Sequence, residues 1–296
     1  TISSENIFVA SWTTTPWTIP SNKAICFNSK FTYELIELKF KGKILNLIIC
    51  SDLIEATLER YELDKYTKLG KVTGDKLSGL ICDHPFLDQK SPLISGDHVT
   101  QEMGTGFVHT APAHGLEDYE ACKDLGFDLT SPVKGDGKFR DNISFVGGQT
   151  IKEANKTVID LLSEKSLLMA NKKYFHSVST CWRHKIPLFY RATPQWFISM
   201  KKSDLLENSE SMIEEINWLP DWGKSRISAM MSDRPDWCVS RQRTWGVPIP
   251  LIIHKETGEL HKDTLEIIDR IAKKVETEGV EAWFSEDIKT VLDKDY

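Results

Sequence analysis

The segment that decides the fold class is residues 33–50, YELIELKFKGKILNLIIC. Apolar and polar residues largely alternate over Tyr33–Phe40, and apolar residues dominate Ile44–Cys50, which is typical of two β-strands. The intervening Lys41-Gly42-Lys43 favours a tight turn, because glycine tolerates the positive φ that such turns require. We therefore predict a β-hairpin at the centre of the amino-terminal third.

Other strands and helices are predicted around this hairpin. The further strands are expected at Ile7–Thr14, Lys23–Phe27, 67–73, 78–83 and 105–110. Apolar residues at helical spacing predict helices at Ser51–Glu62, Gly115–Leu125, Thr150–Lys165, Lys202–Ile216 and Thr264–Glu278. Strands and helices that are partly segregated along the chain indicate a mixed α/β (α+β) fold.

Composition narrows the class of protein. The chain has 296 residues, 40% of them hydrophobic and 27% charged, with a net charge of −6, which is ordinary for a globular protein. No run approaches the roughly 18 apolar residues of a membrane span, and no signal-peptide pattern opens the chain. We expect no membrane partner and no secretion. Because the first residue is not methionine, we also expect a fragment of a longer polypeptide.

The charge is unevenly distributed. Residues 171–245 carry 12 lysines and arginines against 8 acidic residues, which leaves the rest of the chain at −10. Aromatic residues lie beside several of these cations, as in Trp182-Arg183 and Tyr190-Arg191. Cations interleaved with aromatics suit a surface that binds phosphates and bases, although a solvated charged face is the plainer interpretation.

Common nucleotide and hydrolase motifs are absent from the sequence. It contains no P-loop and no G-x-S-x-G nucleophile elbow. Gly104-Thr105-Gly106 begins like a dinucleotide-binding fingerprint, but His109 stands where the third glycine would be needed. The six cysteines are scattered without a C-x-x-C pair, so we predict reduced thiols rather than a disulfide framework.

A run of three threonines is the first candidate for chemistry. Thr13, Thr14 and Thr15 end the first predicted strand, and Pro16 follows them. Threonine hydroxyls both donate and accept hydrogen bonds, so three in succession can hold a water molecule or a carbonyl group. The alternative is that threonine is simply favoured in strands.

The second candidate is residues 104–119, GTGFVHTAPAHGLEDY. A strand delivers His109, a turn follows, and a helix opens with Glu117 and Asp118, which could bind a substrate cation or merely complement the helix dipole. His109, His114 and Asp118 are also competent zinc ligands, but their spacing matches no common metal signature, so no metal is predicted. Cys181 and His184 form only half of a possible metal site.

Four segments resemble isoleucyl-tRNA synthetases of the bacterial and organellar type. Residues 12–22 and 104–119 resemble the editing domain, and residues 181–197 and 235–248 resemble the segments that return the chain to the synthetic core. Thr15 stands where the related leucyl and valyl enzymes typically carry arginine. Ala113 departs from the family pattern, which often has glycine before the residue corresponding to His114.

The resemblance implies the architecture and the cofactors. It implies a β-barrel-like editing core with surrounding helices over residues 1–220, and a connecting segment over 221–296 that returns toward a missing Rossmann core. The His-x-Gly-His and Lys-Met-Ser-Lys-Ser signatures of that core are absent. We therefore expect no aminoacylation by this chain. Editing needs no cofactor, since ATP and Mg²⁺ would serve only the missing synthetic core.

The resemblance also implies an activity and residue roles. The activity is post-transfer editing, in which a positioned water hydrolyses mischarged valyl-tRNA(Ile) and isoleucine is excluded by size. Thr13, Thr14 and Thr15 would position the water and the ester carbonyl, and Asp118 would bind the substrate α-ammonium. His109 would crowd the side-chain pocket. The residues expected to contact the terminal adenosine are Trp12, Thr18 and Asn22.

Two other functions stay open at this point. The chain could be a passive tRNA-binding insertion without hydrolytic activity, or a metal-dependent hydrolase that uses His109, His114 and Asp118. The implied partners are the acceptor end of tRNA(Ile) carrying valine and the rest of the synthetase in the same polypeptide, with a monomeric chain. The implied compartment is the bacterial cytoplasm or the mitochondrial matrix.

Overall fold

The computed structural model describes residues 7–232, 234, 236–241, 246 and 248–285. The chain divides into two compact units, Thr1–Thr193 and Pro194–Tyr296. The predicted boundary near residue 220 marks the end of a functional domain, whereas the boundary at Thr193 separates two compact units. The predicted boundary therefore stays a prediction.

Two sheets and three α-helices make up the described part of the first unit, residues 7–193. Its strands are β1 (Ile7–Val9), β2 (Ala24–Phe27), β3 (Thr32–Phe40), β4 (Lys43–Cys50), β5 (Tyr66–Thr73), β6 (Ile81–Asp83), β7 (Lys90–Ser95) and β8 (Phe107–Thr110). Its helices are α1 (Ile54–Tyr61), α2 (Leu116–Cys122) and α3 (Ile151–Glu164), with short 3₁₀ helices at Pro16–Ser21, Ser51–Leu53 and Gly74–Leu77. The mixed α/β prediction is confirmed.

The predicted hairpin is confirmed as the centre of the first sheet. β3 and β4 pair antiparallel from Tyr33 opposite Cys50 to Phe40 opposite Lys43. Lys41 and Gly42 both have positive φ, 49° and 82°, which is the conformation that a two-residue hairpin turn requires. The sheet order is β1-β4-β3-β5, and its core side includes the fully buried Tyr33.

The second sheet positions the candidate site. Its order is β6-β7-β2-β8, with β2 parallel to β7 and antiparallel to β8. In this register Ile25 of β2 lies opposite His109 of β8. Both sheets are open among the described strands, so the β-barrel-like core consists of two four-stranded sheets rather than a closed barrel.

A separate apolar cluster supports the 3₁₀ helix at Pro16–Ser21. Trp17 packs there with Phe139, Val146 and Val158, all nearly or fully buried. Val158 lies on α3, whose amino terminus carries the capping box formed by Thr150 and Glu153. This cluster anchors the segment that follows the threonine run.

The second unit is mostly helical in its described part. It contains α4 (Leu205–Glu215), α5 (Trp222–Ser232), α6 (Thr264–Glu278) and α7 (Glu281–Ser285). The two short strands β9 (Phe197–Ile198) and β10 (Trp237–Cys238) pair antiparallel. α6 confirms the prediction at its predicted bounds, whereas α5 lies in a segment expected to be only a connection.

Candidate active site

A cavity of about 350 Å³ lies in the first unit and gathers most of the predicted site residues. This volume falls at the lower end of the range typical of small-ligand pockets. The predicted residues that line it are Trp12, Thr13, Thr14, Thr15, Thr18, His109 and Asp118. The other lining residues are His98, Val99, Thr100, Met103, Gly104, Gly106, Phe107, Val108, Ala111 and His114.

The threonine run lies in irregular backbone and not at the end of a strand. β1 ends at Val9, so the prediction that the strand continues to Thr14 is wrong. The run is held locally instead, since the Thr15 backbone N–H donates to Thr13 Oγ1 at 3.0 Å. Pro16 then opens a 3₁₀ helix, because its fixed φ and missing N–H suit a first helical position. Thr14 and Thr15 are exposed at the cavity.

Hydrogen bonds occupy both ring nitrogens of His109. Asn22 Nδ2 lies 2.8 Å from His109 Nδ1, and Thr18 Oγ1 lies 3.0 Å from Nε2. Thr18 Oγ1 also donates to the Thr15 carbonyl at 2.9 Å, so it accepts from a protonated Nε2. Asn22 does not line the cavity but supports His109 from behind.

The environment keeps His109 neutral. Burial, together with the smaller effects of the neighbouring His84 and His114, lowers the pKa of His109 to about 4. A neutral imidazole with both nitrogens engaged cannot take a proton from water. The imidazole therefore lines the cavity as a neutral ring that is held by Thr18 and Asn22.

Asp118 has no cationic partner among the described residues. Its Oδ2 accepts a 2.8 Å hydrogen bond from the Ala111 backbone N–H, and no described lysine, arginine or histidine lies within ion-pair distance. Burial raises the pKa of this carboxyl, against the lowering effect of the Ala111 bond and of nearby His98. A cationic ligand group in the cavity would stabilise the carboxylate.

The loop from Gly104 to Gly106 forms one wall of the cavity. Both glycines have positive φ, 88° and 82°. The Gly104 carbonyl accepts hydrogen bonds from Arg60 Nη1 at 2.9 Å and from Thr57 Oγ1 at 3.2 Å. α1 therefore fixes this wall through two side chains, a contact that carried no signal in the sequence.

Two further histidines line the cavity. His114 engages the Tyr190 carbonyl through Nδ1 at 3.0 Å and Ser21 Oγ through Nε2 at 3.2 Å, and burial lowers its pKa. His98 was missed by sequence reasoning, because it belongs to no motif. Its Nε2 is buried without a hydrogen-bond partner in the part of the chain that the structure describes.

Aromatic side chains form the rim beside the threonine run. Trp12 is 38% exposed and meets Tyr174 edge to face, with ring centroids 5.3 Å apart. Tyr174 in turn directs its hydroxyl at Met103 Sδ, 3.6 Å away. The exposed part of Trp12 offers a surface on which a base can stack.

The described residues bring no three histidine, cysteine, aspartate or glutamate side chains together in an arrangement that could hold a metal ion. This applies to His109, His114 and Asp118, although all three line one cavity. Cys181 Sγ lies 3.4 Å from His184 Nδ1, but only as a pair.

Sequence comparison decides the family. Residues 18–296 match the family of tRNA synthetases class I (I, L, M and V). The chain belongs to the class I tRNA synthetases. It is 48% identical over 280 residues to the isoleucine–tRNA ligases of Francisella tularensis subsp. tularensis (strain WY96-3418) and subsp. novicida (strain U112). Each alignment covers 95% of this chain, which spans about 30% of the length of these relatives.

The solved structures are less similar to this synthetase chain than the curated relatives are. The editing domain of P. knowlesi cytosolic leucyl-tRNA synthetase aligns with 12% identity and a TM-score of 0.39, over 53% of this chain and 81% of that domain. The corresponding P. falciparum domain aligns with 9% identity and a TM-score of 0.39, over 54% and 78%. No helix in the described part of the synthetase chain is long and apolar enough to cross a membrane.

Proposed function

We propose that this chain hydrolyses valyl-tRNA(Ile), the mischarged product of an isoleucine–tRNA ligase, and spares isoleucyl-tRNA(Ile). The observation that carries the proposal is that the threonine run and the unpaired carboxylate of Asp118 line one cavity. An aminoacyl ester carries both groups that these residues would recognise, an α-ammonium and a carbonyl. The 48% identity to isoleucine–tRNA ligases supports tRNA(Ile) as the carrier.

Asp118 would bind and orient the substrate. Its carboxylate has no cation within the described structure, so an incoming α-ammonium would complete a charge-assisted hydrogen bond. Because the Ala111 N–H holds the other side of the carboxyl group, the ammonium position would be fixed relative to the end of β8. A fixed ester geometry favours attack on the carbonyl carbon.

The threonine run would hold the attacking water and stabilise the oxyanion. Water would add to the ester carbonyl, and the bond to the ribose oxygen would then break. The products are valine and a tRNA with its terminal hydroxyl restored. Thr14 and Thr15 are exposed at the cavity and can donate to a developing negative charge.

A terminal ribose hydroxyl of the tRNA would help to activate the water. The support for this step is that His109 and His114 already use both ring nitrogens, and that the remaining cavity histidine, His98, has its Nε2 buried away from water. Trp12 would stack on the terminal adenosine with Thr18 near it, whereas the buried Asn22 does not line the cavity and would act through His109 rather than contact the adenosine. In this scheme the chemistry requires no metal ion.

Size exclusion would give the discrimination. One methylene in an apolar pocket is worth only about 1–3 kcal/mol, a general figure for which isoleucyl-tRNA synthetases are the standard example. A second site that admits valine and rejects isoleucine by bulk removes the errors that remain. His109, fixed at both nitrogens, would supply part of that bulk.

The test is deacylation of valyl-tRNA(Ile) by the chain and by two variants, Asp118→Asn and Glu117→Gln. Asparagine keeps an oxygen for the Ala111 N–H but loses the charge, so the rate should fall about 10- to 100-fold. Glu117 is exposed in the same helical turn, so its variant should retain the rate. Binding of tRNA without deacylation would instead indicate a passive tRNA-binding insertion, and a rate abolished by a chelator would indicate a metal-dependent hydrolase.

A further inference from the structure

The hydroxyl of Ser91 fixes the orientation of the Asn22 amide. Ser91 lies on β7, is 2% exposed, and places Oγ 2.5 Å from Asn22 Oδ1. An amide oxygen carries no hydrogen, so Ser91 must be the donor. The amide nitrogen of Asn22 therefore points in the opposite direction.

The amide nitrogen of Asn22 faces two hydrogen-bond acceptors. Asn22 Nδ2 donates to the Ala24 carbonyl at 2.8 Å and lies 2.8 Å from His109 Nδ1. Because the Ala24 oxygen can only accept, this contact fixes the same orientation as Ser91 does. His109 Nδ1 must then be the unprotonated nitrogen, and the ring proton lies on Nε2.

The donor direction continues to the threonine run. His109 Nε2–H donates to Thr18 Oγ1 at 3.0 Å, and the Thr18 hydroxyl donates to the Thr15 carbonyl at 2.9 Å. Once Ser91 is the donor, every group in this series of hydrogen bonds can act in only one way, as donor or as acceptor, at each contact. Ser91, which is buried and does not line the cavity, is thus connected through hydrogen bonds to the threonine run that does line it.

We propose that Ser91 is a positioning residue, which holds His109 as the Nε2–H tautomer in one ring orientation and so sets how strictly the cavity rejects isoleucine. The part about isoleucine rests on the proposed function, whereas the part about the tautomer does not. None of the four segments that resemble the synthetase family contains this serine, which lies 69 residues from Asn22.

Loss of the Ser91 hydroxyl would disturb the whole series of hydrogen bonds. Without it, the buried Asn22 Oδ1 has no donor, which is unfavourable for a polar atom shielded from water. Rotation of the amide by half a turn would offer the oxygen to a protonated His109 Nδ1 but would also turn it toward the Ala24 carbonyl oxygen, so the rotated amide would form only part of the population. Nε2 would then accept from Thr18, and the Thr18 hydroxyl would release the Thr15 carbonyl.

The first experiment measures the tautomer by NMR of the chain labelled with ¹⁵N-histidine at pH 7. The wild type should show His109 protonated on Nε2 alone, and Ser91→Ala should show a new population protonated on Nδ1. Ser91→Thr, which keeps the hydroxyl, and Ser95→Ala, at the exposed end of the same strand, should match the wild type. A wild-type signal from the Nδ1–H form, or an unchanged Ser91→Ala spectrum, would overturn the proposal. The wild-type spectrum tests the tautomer of His109 even if Ser91→Ala does not fold.

The second experiment measures discrimination. In Ser91→Ala the rate of isoleucyl-tRNA(Ile) deacylation relative to valyl-tRNA(Ile) should rise about fivefold, the effect of one net hydrogen bond. A changed tautomer with an unchanged ratio would overturn the role in discrimination. A wild-type chain that deacylates neither substrate would reject the proposed function and with it the role in discrimination, while the NMR result would still decide the tautomer.

Discussion

Gly106 approaches Cys50 so closely that a methyl group added to Gly106 would lie 2.3 Å from the Cys50 Cβ. The contact joins the loop that walls the cavity to the end of β4. Tyr33 fixes the same loop, since its hydroxyl donates to the Gly106 carbonyl at 2.9 Å. The glycine is therefore required by space as well as by its φ of 82°.

Gly106→Ala should destabilise the chain more than Gly42→Ala. Both glycines have a φ of 82°, but a methyl group on Gly42 would meet no atom within 4 Å. Gly42→Ala should lower the free energy of unfolding by about 1–2 kcal/mol through φ alone, and Gly106→Ala by about 1–3 kcal/mol more through the clash. Urea unfolding of the two variants measures the difference. Equal losses would contradict the packing that the structure shows at Cys50.

Stability should fall as the pH is lowered from about 7 toward 4. The pKa of His109 is about 4 in the folded chain, and burial also lowers the pKa values of His84 and His114. Their ordinary values are near 6.5, so the unfolded chain binds protons first in this window and is favoured. Urea midpoints measured from pH 7.5 to 4 should show this decline, with a shallower slope in His109→Asn. A midpoint that stays constant across this range would contradict neutral buried histidines.

His98→Gln should retain the rate of valyl-tRNA(Ile) deacylation to within about threefold. The Nε2 of His98 is buried without a partner among the described residues, so this nitrogen is shielded from the attacking water, and the proposed mechanism assigns activation of the water to the tRNA rather than to Nδ1 of the same ring. Single-turnover rates measure the effect. A loss of about 100-fold or more, within the range of general-base catalysis, would identify His98 as the base.

The ribose hydroxyl adjacent to the ester should matter more than any cavity histidine. Replacement of that hydroxyl by hydrogen in valyl-tRNA(Ile) should slow deacylation by about 100-fold or more, the usual contribution of a group that assists proton transfer. The matched control is the spontaneous hydrolysis of the same two esters without protein. Full activity on the modified tRNA would require another base.

Much of the first unit could be predicted because its signals are local. The β3–β4 hairpin follows from the apolar pattern around Lys41-Gly42, and α3 follows from the helical spacing of apolar residues over Thr150–Lys165. β7 was missed because Pro92 lies within it, and proline usually argues against an inner strand. The 3₁₀ helix at Pro16–Ser21 was missed because its two prolines argue against a regular strand or α-helix and give no positive signal for a short 3₁₀ helix.

The cavity lining was predicted where residues adjoin in sequence and missed where they meet only in space. Two segments whose sequences resemble a known family contain Thr13 to Thr15, His109 and Asp118. His98 and Ser91 lie outside both segments, and their contacts depend on the register of β7 beside β2. No sequence pattern of one chain records that register.

The ratio of valyl-tRNA(Ile) to isoleucyl-tRNA(Ile) deacylation by the unmodified chain tests the central claim most directly. A cavity of about 350 Å³ that is narrowed by a fixed His109 should hydrolyse the valyl ester at least about 100-fold faster, since exclusion by bulk exceeds the effect of one methylene in an accommodating pocket. Equal rates for the two esters, or no deacylation of either by a chain that binds tRNA(Ile), would contradict it.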